Sequence, residues 1–178
     1  SGLFPGTTAV VQGAGGLGHI GVQTLKAITS AKVIVVDRSP AALELAKEIG
    51  ADETVVSDGS HIDAVKDLTG GRGADVVFDF VAEQGAELDG WAMTAPAGYQ
   101  YIIGYGGQFV APTLDFVAGE KSVIGNIVGT YTDLAELMVL AQAGKVTLHT
   151  QKYKLTDALT ALADLDAGNV RGRAILVP

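Results

Sequence analysis

The sequence contains no cysteine, which excludes a disulfide-stapled scaffold and any thiolate zinc site within it. Charge is sparse. Charged residues make up 18% of the chain against 48% apolar residues, a balance that argues against disorder. Basic residues are the scarcer sign: 12 Lys and Arg face 20 Asp and Glu, for a net charge of −8. That balance disfavours nucleic acid or an anionic membrane surface as a partner. No apolar run reaches the length of a membrane span and no signal-peptide pattern opens the sequence, so a cytoplasmic location is expected. The histidines are His19, His61 and His149. They lack metal-ligand spacing, and each reads as a packing or surface residue. Asp63 and Asp67 fall on one face of a short helix, a solvated face. No Gly-x-Ser-x-Gly elbow, internal repeat or low-complexity segment occurs.

Glycine is abundant, with 24 residues, and it is densest in Val10-Val11-Gln12-Gly13-Ala14-Gly15-Gly16-Leu17-Gly18-His19-Ile20-Gly21. A short apolar run enters this turn, and Leu17, Ile20, Gly21, Thr24, Leu25 and Ile28 leave it at helical spacing. Gly13, Gly15 and Gly18 occupy the glycine positions of a dinucleotide fingerprint, whose helix N-terminus faces a pyrophosphate. Glycine-rich strand-to-helix turns also occur without a ligand. The second apolar run, Lys32 to Val36, ends in Asp37, 19 residues past Gly18. An acid at that strand end can bind both ribose hydroxyls of NAD and repel the 2′-phosphate of NADP. An ordinary solvated aspartate is the alternative reading, but motif, strand, helix and acid agree in order and spacing.

Apolar runs alternate with helical patterns along the rest of the chain. Strands are predicted at Thr7–Gln12, Lys32–Asp37, Glu53–Ser57, Asp75–Val81, Tyr99–Tyr105 and Ser122–Val128. Helices are predicted at Leu17–Thr29, after Ser39-Pro40 up to Gly50, and at Ile62–Leu68, Glu83–Thr94 and Leu134–Ala143. Pro96-Ala97-Gly98 reads as the stop after the fourth helix, and Gln108–Gly119 as a loop. This alternation predicts an α/β Rossmann fold, a doubly wound six-stranded parallel sheet with helices on both faces. The end of the chain reads differently: an extended Tyr153–Leu155, a helix capped by Thr156-Asp157, and a strand from Gly172 to Val177.

Taken together, Pro5-Gly6, the glycine turn, Asp37, Gly50-Ala51-Asp52, Gly70 through Val81 and Gly168-Asn169-Val170-Arg171-Gly172-Arg173 resemble the zinc-type medium-chain alcohol dehydrogenases. The likeness is closest to bacterial NAD-dependent members. It implies an NAD-binding Rossmann domain over 1–147, and a tail over 148–178 that returns to a catalytic domain. The zinc ligands and proton relay of that domain would lie upstream of this chain. The resemblance assigns the pyrophosphate to Gly13, Gly15, Gly16, Leu17, Gly18 and Arg173, the adenosine ribose to Asp37, and the adenine flank to Arg38. It places Phe80 and Val81 beside the cofactor and Ile103, Gly104, Tyr105, Ile127 and Val128 against the nicotinamide, although core packing accounts equally well for the apolar members of that set. Ala82 and Ala97 depart from the family pattern, which has glycine at both positions.

The implied activity is hydride transfer between an alcohol and NAD, giving an aldehyde or ketone, with zinc only in the intact enzyme. The chain alone would bind NAD(H) and catalyse nothing. A homodimer or tetramer through the sheet edge at Ser122–Val128 is also implied. Three other readings compete: an NADPH-dependent quinone or enoyl reductase of the same superfamily, a non-catalytic NAD-binding module, and a methyltransferase with a similar turn. Asp37 speaks against the first, Arg173 and the tail against the second, and the long agreement beyond the turn against the third.

Overall fold

The computed structural model describes residues 2–178. Its strands are β1 (Thr8–Gln12), β2 (Lys32–Asp37), β3 (Glu53–Val56), β4 (Ala74–Asp79), β5 (Thr94–Ile102) and β6 (Ser122–Gly125). They form one parallel sheet in the order β3-β2-β1-β4-β5-β6, the doubly wound arrangement that the alternating pattern predicts. The central strand, β1, registers Val10 against Ile34 of β2 and Val77 of β4.

Strand geometry sends successive side chains to opposite faces, so continuous apolar runs give two cores rather than one. Ala9, Val11, Val33 and Val35 pack against α1 (Gly18–Ile28) and α2 (Pro40–Glu48) through Val22, Leu25, Leu43 and Ala46. Val10, Ile34, Val36 and Val77 meet Val65 of α3 (His61–Leu68) and Met93 of α4 (Ala86–Met93) on the other face. The start of α2 follows from its residues: Ser39 accepts a hydrogen bond from the Ala42 N–H, and Pro40 takes the first helical position.

The structure departs from the sequence reading where side-chain hydrogen bonds or tertiary contacts decide the local fold. β4 stops at Asp79 instead of Val81, because the Asp79 carboxylate takes the N–H groups of Val81 and Ala82. β6 stops at Gly125 instead of Val128; Asn126 makes the last bond to β5 and turns its amide back on the Ile124 carbonyl. Pro96-Ala97-Gly98 is not a break before β5 but an irregularity inside it, where the register with β4 slips between Ala74 and Val76. Residues 113–119, expected as loop, form α5 (Thr113–Gly119). Phe116 of this helix packs on Trp91, with ring centroids 4.5 Å apart. α6 (Tyr131–Gln142) begins earlier than predicted, at a capping box in which Thr130 and Asp133 satisfy each other's backbone.

The chain ends in β7 (Thr150–Lys154), a 3₁₀ turn at Leu155–Asp157, α7 (Ala158–Asp166) and β8 (Arg173–Val177). β7 and β8 make a separate two-stranded parallel sheet. The expected cap at Thr156-Asp157 is replaced by the 3₁₀ turn, and Asp157 makes no side-chain capping bond. Among the described residues, no helix is long and apolar enough to cross a membrane.

Ala82 and Ala97 both adopt left-handed backbone, at φ 46° and φ 58°. That conformation costs an L-residue about 1–2 kcal/mol, partly offset because glycine loses more entropy on folding. Ala97 is exposed, whereas Ala82 is 4% exposed and would also forfeit a packed methyl. Ala97→Gly is therefore expected to stabilise the protein by about 0.5 kcal/mol, with Ala82→Gly near neutral. Urea unfolding of both variants checks the order; destabilisation by Ala97→Gly would refute the strain argument.

Candidate functional site

The strand order reverses at β1, which neighbours β2 on one side and β4 on the other. In such sheets a crevice opens beyond the carboxyl ends of the strands at this point. Here it is a cleft of about 680 Å³. Its floor is the turn from Gln12 to Gly18, and its sides come from the ends of β2, β4 and β5.

The turn is shaped by close approach. Gly13 sits at φ 87°, with its N–H on the Val36 carbonyl at 2.8 Å, and a side chain there would meet Val81. A Cβ at Gly18 would overlap the Gly13 carbonyl, so the helix can start only where the side chain is absent. Gly15 has open space around it and faces the cleft. A Cβ on Gly16 would lie 2.6 Å from Arg173 Nη1, so the guanidinium already lies over the turn. Among the described residues, Arg173 makes no ion pair.

Asp37 stands at the end of β2 with both carboxylate oxygens engaged. Oδ2 accepts the Ala14 N–H at 2.7 Å and Oδ1 accepts the Ser39 N–H at 2.8 Å. Each oxygen has a second lone pair, so the cleft side of the carboxylate can still accept. Next to it, Arg38 Nη1 donates to Gln84 Oε1 at 3.2 Å, linking the end of β2 to the loop between β4 and α4. The opposite wall is organised by Asp79, which is fully buried. Its side chain holds Val81 and Ala82, and its carbonyl accepts the N–H groups of Ile103 and Gly104 at 2.8 and 3.0 Å. Burial pushes this carboxyl above its ordinary value against those two amide hydrogen bonds, and the nearby Glu87 and Asp89 push it further.

The cleft gathers Gly13, Gly15, Gly16, Leu17, Gly18, Asp37, Arg38, Phe80, Val81, Ile103, Gly104, Tyr105 and Arg173. It does not gather Ile127 and Val128, which lie past the end of β6 and are 89% and 95% exposed. Sequence reasoning missed Gln12, Ser57, Glu83, Gln84, Ala86, Asp89 and Leu165, which also line it. Gln12 carried a signal, being a polar residue closing an otherwise apolar strand. Leu165 carried none, since α7 reaches the cleft only through the tertiary fold. Asp89 is held by His61, whose Nε2 lies 3.1 Å from Asp89 Oδ2. Among the described residues, no group of three or more His, Cys, Asp or Glu side chains is placed to hold a metal ion.

Known proteins share this arrangement. A NAD-dependent alcohol dehydrogenase of Sulfurisphaera tokodaii is 35% identical over 182 residues, covering 99% of this chain and 52% of the relative. A D-arabinose 1-dehydrogenase (NADP(+)) of Saccharolobus solfataricus is 30% identical, covering 98% of this chain and 50% of its own. The crystal structure of the alcohol dehydrogenase of Aeropyrum pernix superposes with a TM-score of 0.97 at 40% identity, over 99% of this chain and 52% of that one. The chain thus spans about half the length of the relatives it matches. The sequence pattern described as zinc-binding dehydrogenase matches residues 16–143, the stretch from the glycine turn to the end of α6. With that match over most of its length, the chain belongs to the zinc-binding dehydrogenase family.

Proposed function

We propose that the chain is the NAD(H)-binding portion of an alcohol dehydrogenase, the whole of which transfers hydride between an alcohol and NAD to give an aldehyde or ketone. The observation that carries this reading is the convergence of three separate stretches on one cleft: the glycine turn, Asp37 and Arg173. Their chemistries match a dinucleotide in order along it. The free N–H groups and positive end of α1 suit a pyrophosphate, and the planar fork of Arg173 can bind the same phosphates from above. The Asp37 carboxylate suits vicinal ribose hydroxyls and opposes a 2′-phosphate. Arg38 would flank the adenine. Phe80 and Val81 would lie beside the cofactor, and Ile103, Gly104 and Tyr105 would form the wall against which a nicotinamide is oriented.

Bound there, the cofactor would supply the hydride acceptor, while these residues bind, orient and exclude water. Zinc finds no ligand set among the described residues; in this reading its ligands, and most of the alcohol pocket, belong to sequence outside this chain. Residues 1–147 are then the cofactor domain, and 148–178 the segment returning to the catalytic one. The absence of cysteine and the acidic charge are compatible with a cytoplasmic setting. β6 is an edge strand, and pairing of that edge with its copy would give the homodimer, or the unit of a tetramer.

Calorimetric titration with NADH and NADPH tests the reading. NADH is expected to bind at least about tenfold more tightly than NADPH, the effect of one charge repulsion in a partly buried site. Equal affinities would favour the reductase reading, and binding of neither would overturn the proposed site.

A further inference from the structure

One buried histidine lies directly beneath the glycine turn, and the cleft does not use it. His19 is fully buried on the first turn of α1. Its Nδ1 lies 2.9 Å from the Gly15 carbonyl oxygen, and its Nε2 receives the His149 N–H at 3.3 Å. A carbonyl can only accept and a backbone N–H can only donate, so the ring is the neutral tautomer with its proton on Nδ1. Burial lowers its proton affinity against the Gly15 hydrogen bond, and His149 and Arg173, the charged or titratable groups facing it, lower it further. His149 also meets the ring edge-on, with centroids 5.9 Å apart.

The contacts continue from His149 back to the turn. The His149 carbonyl accepts the Arg173 N–H at 2.9 Å, and the Arg173 side chain extends over Gly16. Gly172 makes this approach possible, since a Cβ there would overlap the His149 carbonyl. A closed circuit results, from the Gly15 carbonyl through the imidazole, the His149 backbone and Arg173 to Gly16. Gln23, one turn further along α1, fastens the same segment by exchanging two hydrogen bonds with Thr147.

We propose that His19 is a positioning residue for the cofactor, clasping the C-terminal segment to α1 so that Arg173 is held over the pyrophosphate-binding turn. The proposal rests on the NAD(H) reading of the cleft. It assigns His19 a role through Arg173, not a contact with the cofactor. The orienting contact is the bond at Nε2, so an acceptor at that point is what the role requires. Glutamine can place its amide oxygen there, and leucine cannot.

NADH titrations of His19→Leu, His19→Gln, Arg173→Ala and the double variant His19→Leu/Arg173→Ala test this, with thermal unfolding of each alongside. His19→Leu is expected to weaken NADH binding about tenfold, the scale of one misplaced charge-assisted phosphate contact. His19→Gln is expected to stay within about threefold of the unsubstituted chain, because it restores the acceptor. Once Arg173 is alanine, the leucine substitution should change affinity by less than about twofold, since coupled residues are non-additive. An equal loss from His19→Leu in both backgrounds would show a structural role only and overturn the clasp. Failure of His19→Gln to restore binding despite unaltered unfolding would do the same. No NADH binding by the unsubstituted chain would instead overturn the reading of the cleft on which the clasp depends.

Discussion

Replacing Asp37 by alanine is expected to weaken NADH binding by at least about 100-fold while leaving NADPH binding unchanged or improved. The magnitude follows from two hydrogen bonds between a carboxylate and ribose hydroxyls, each worth about 1.5–3 kcal/mol when one partner is charged. The selectivity follows from removing the negative charge that opposes a 2′-phosphate. A third effect comes from the fold itself. Asp37 Oδ2 ties the Ala14 N–H to the end of β2, and Ala14 is 1% exposed, so alanine at 37 leaves a buried donor without a partner. The turn should loosen, and thermal unfolding should fall by a few degrees. Asp37→Asn separates these contributions. Its amide oxygen can keep the Ala14 N–H while the charge is gone, so it should lose NADH–NADPH discrimination with a smaller loss of NADH affinity and little change in unfolding temperature. Parallel calorimetric titrations with both cofactors read out all three effects. If Asp37→Ala binds both as the unsubstituted chain does, the carboxylate only braces the turn and the cleft takes its ligand another way.

How far the molecule can be read from its residues depends on where the interactions that fix each part lie. The strand order and two-faced core are legible because local signals agree: buried apolar runs, helical spacing, and a glycine turn joining β1 to α1. The glycine turn and the acid beside it in the cleft are legible for the same reason, since Gly13, Gly15, Gly18 and Asp37 occupy short stretches of known geometry. What escapes is set by long-range contacts. α5 has no fully buried residue and exists as a helix against Trp91 through Phe116. Its pattern therefore looks like loop. The end of β6, and with it the displacement of Ile127 and Val128 from the cleft, turns on a single asparagine amide. His19 reads as a packing residue from the sequence, because its partner His149 is 130 residues away. The bend that ends β4 at Asp79 is likewise invisible in an apolar run, because it depends on how one carboxylate is used.

That carboxylate is expected to carry a large share of the chain's stability. Asp79 is fully buried and fixes two segments of one cleft wall: its side chain holds Val81 and Ala82, and its backbone carbonyl holds Ile103 and Gly104. Asp79→Ala strips acceptors from two N–H groups at about 1–3 kcal/mol each, for a loss of about 3 kcal/mol. In a chain of this size that is a fall of about 10 °C in unfolding temperature. The same change should weaken NADH binding, because Phe80 and Val81 in this loop line the cleft. Asp79→Asn behaves differently. It keeps an oxygen for both N–H groups and removes a charge that burial, Glu87 and Asp89 all disfavour.

The pH dependence has a definite sign. The folded-state pKa of Asp79 is raised from its ordinary value of 3.8, so its contribution to stability is full below that value and is lost as pH rises through the folded pKa. Once pH exceeds that folded pKa, the native state carries an unfavourable buried charge that the asparagine variant lacks. Asp79→Asn should then be more stable than the unsubstituted chain at pH 8, with the advantage shrinking as pH falls towards 4. Urea unfolding at several pH values decides it. An asparagine variant as unstable as the alanine one would mean that the charge itself holds the loop, through Val81 and Ala82, more strongly than burial opposes it.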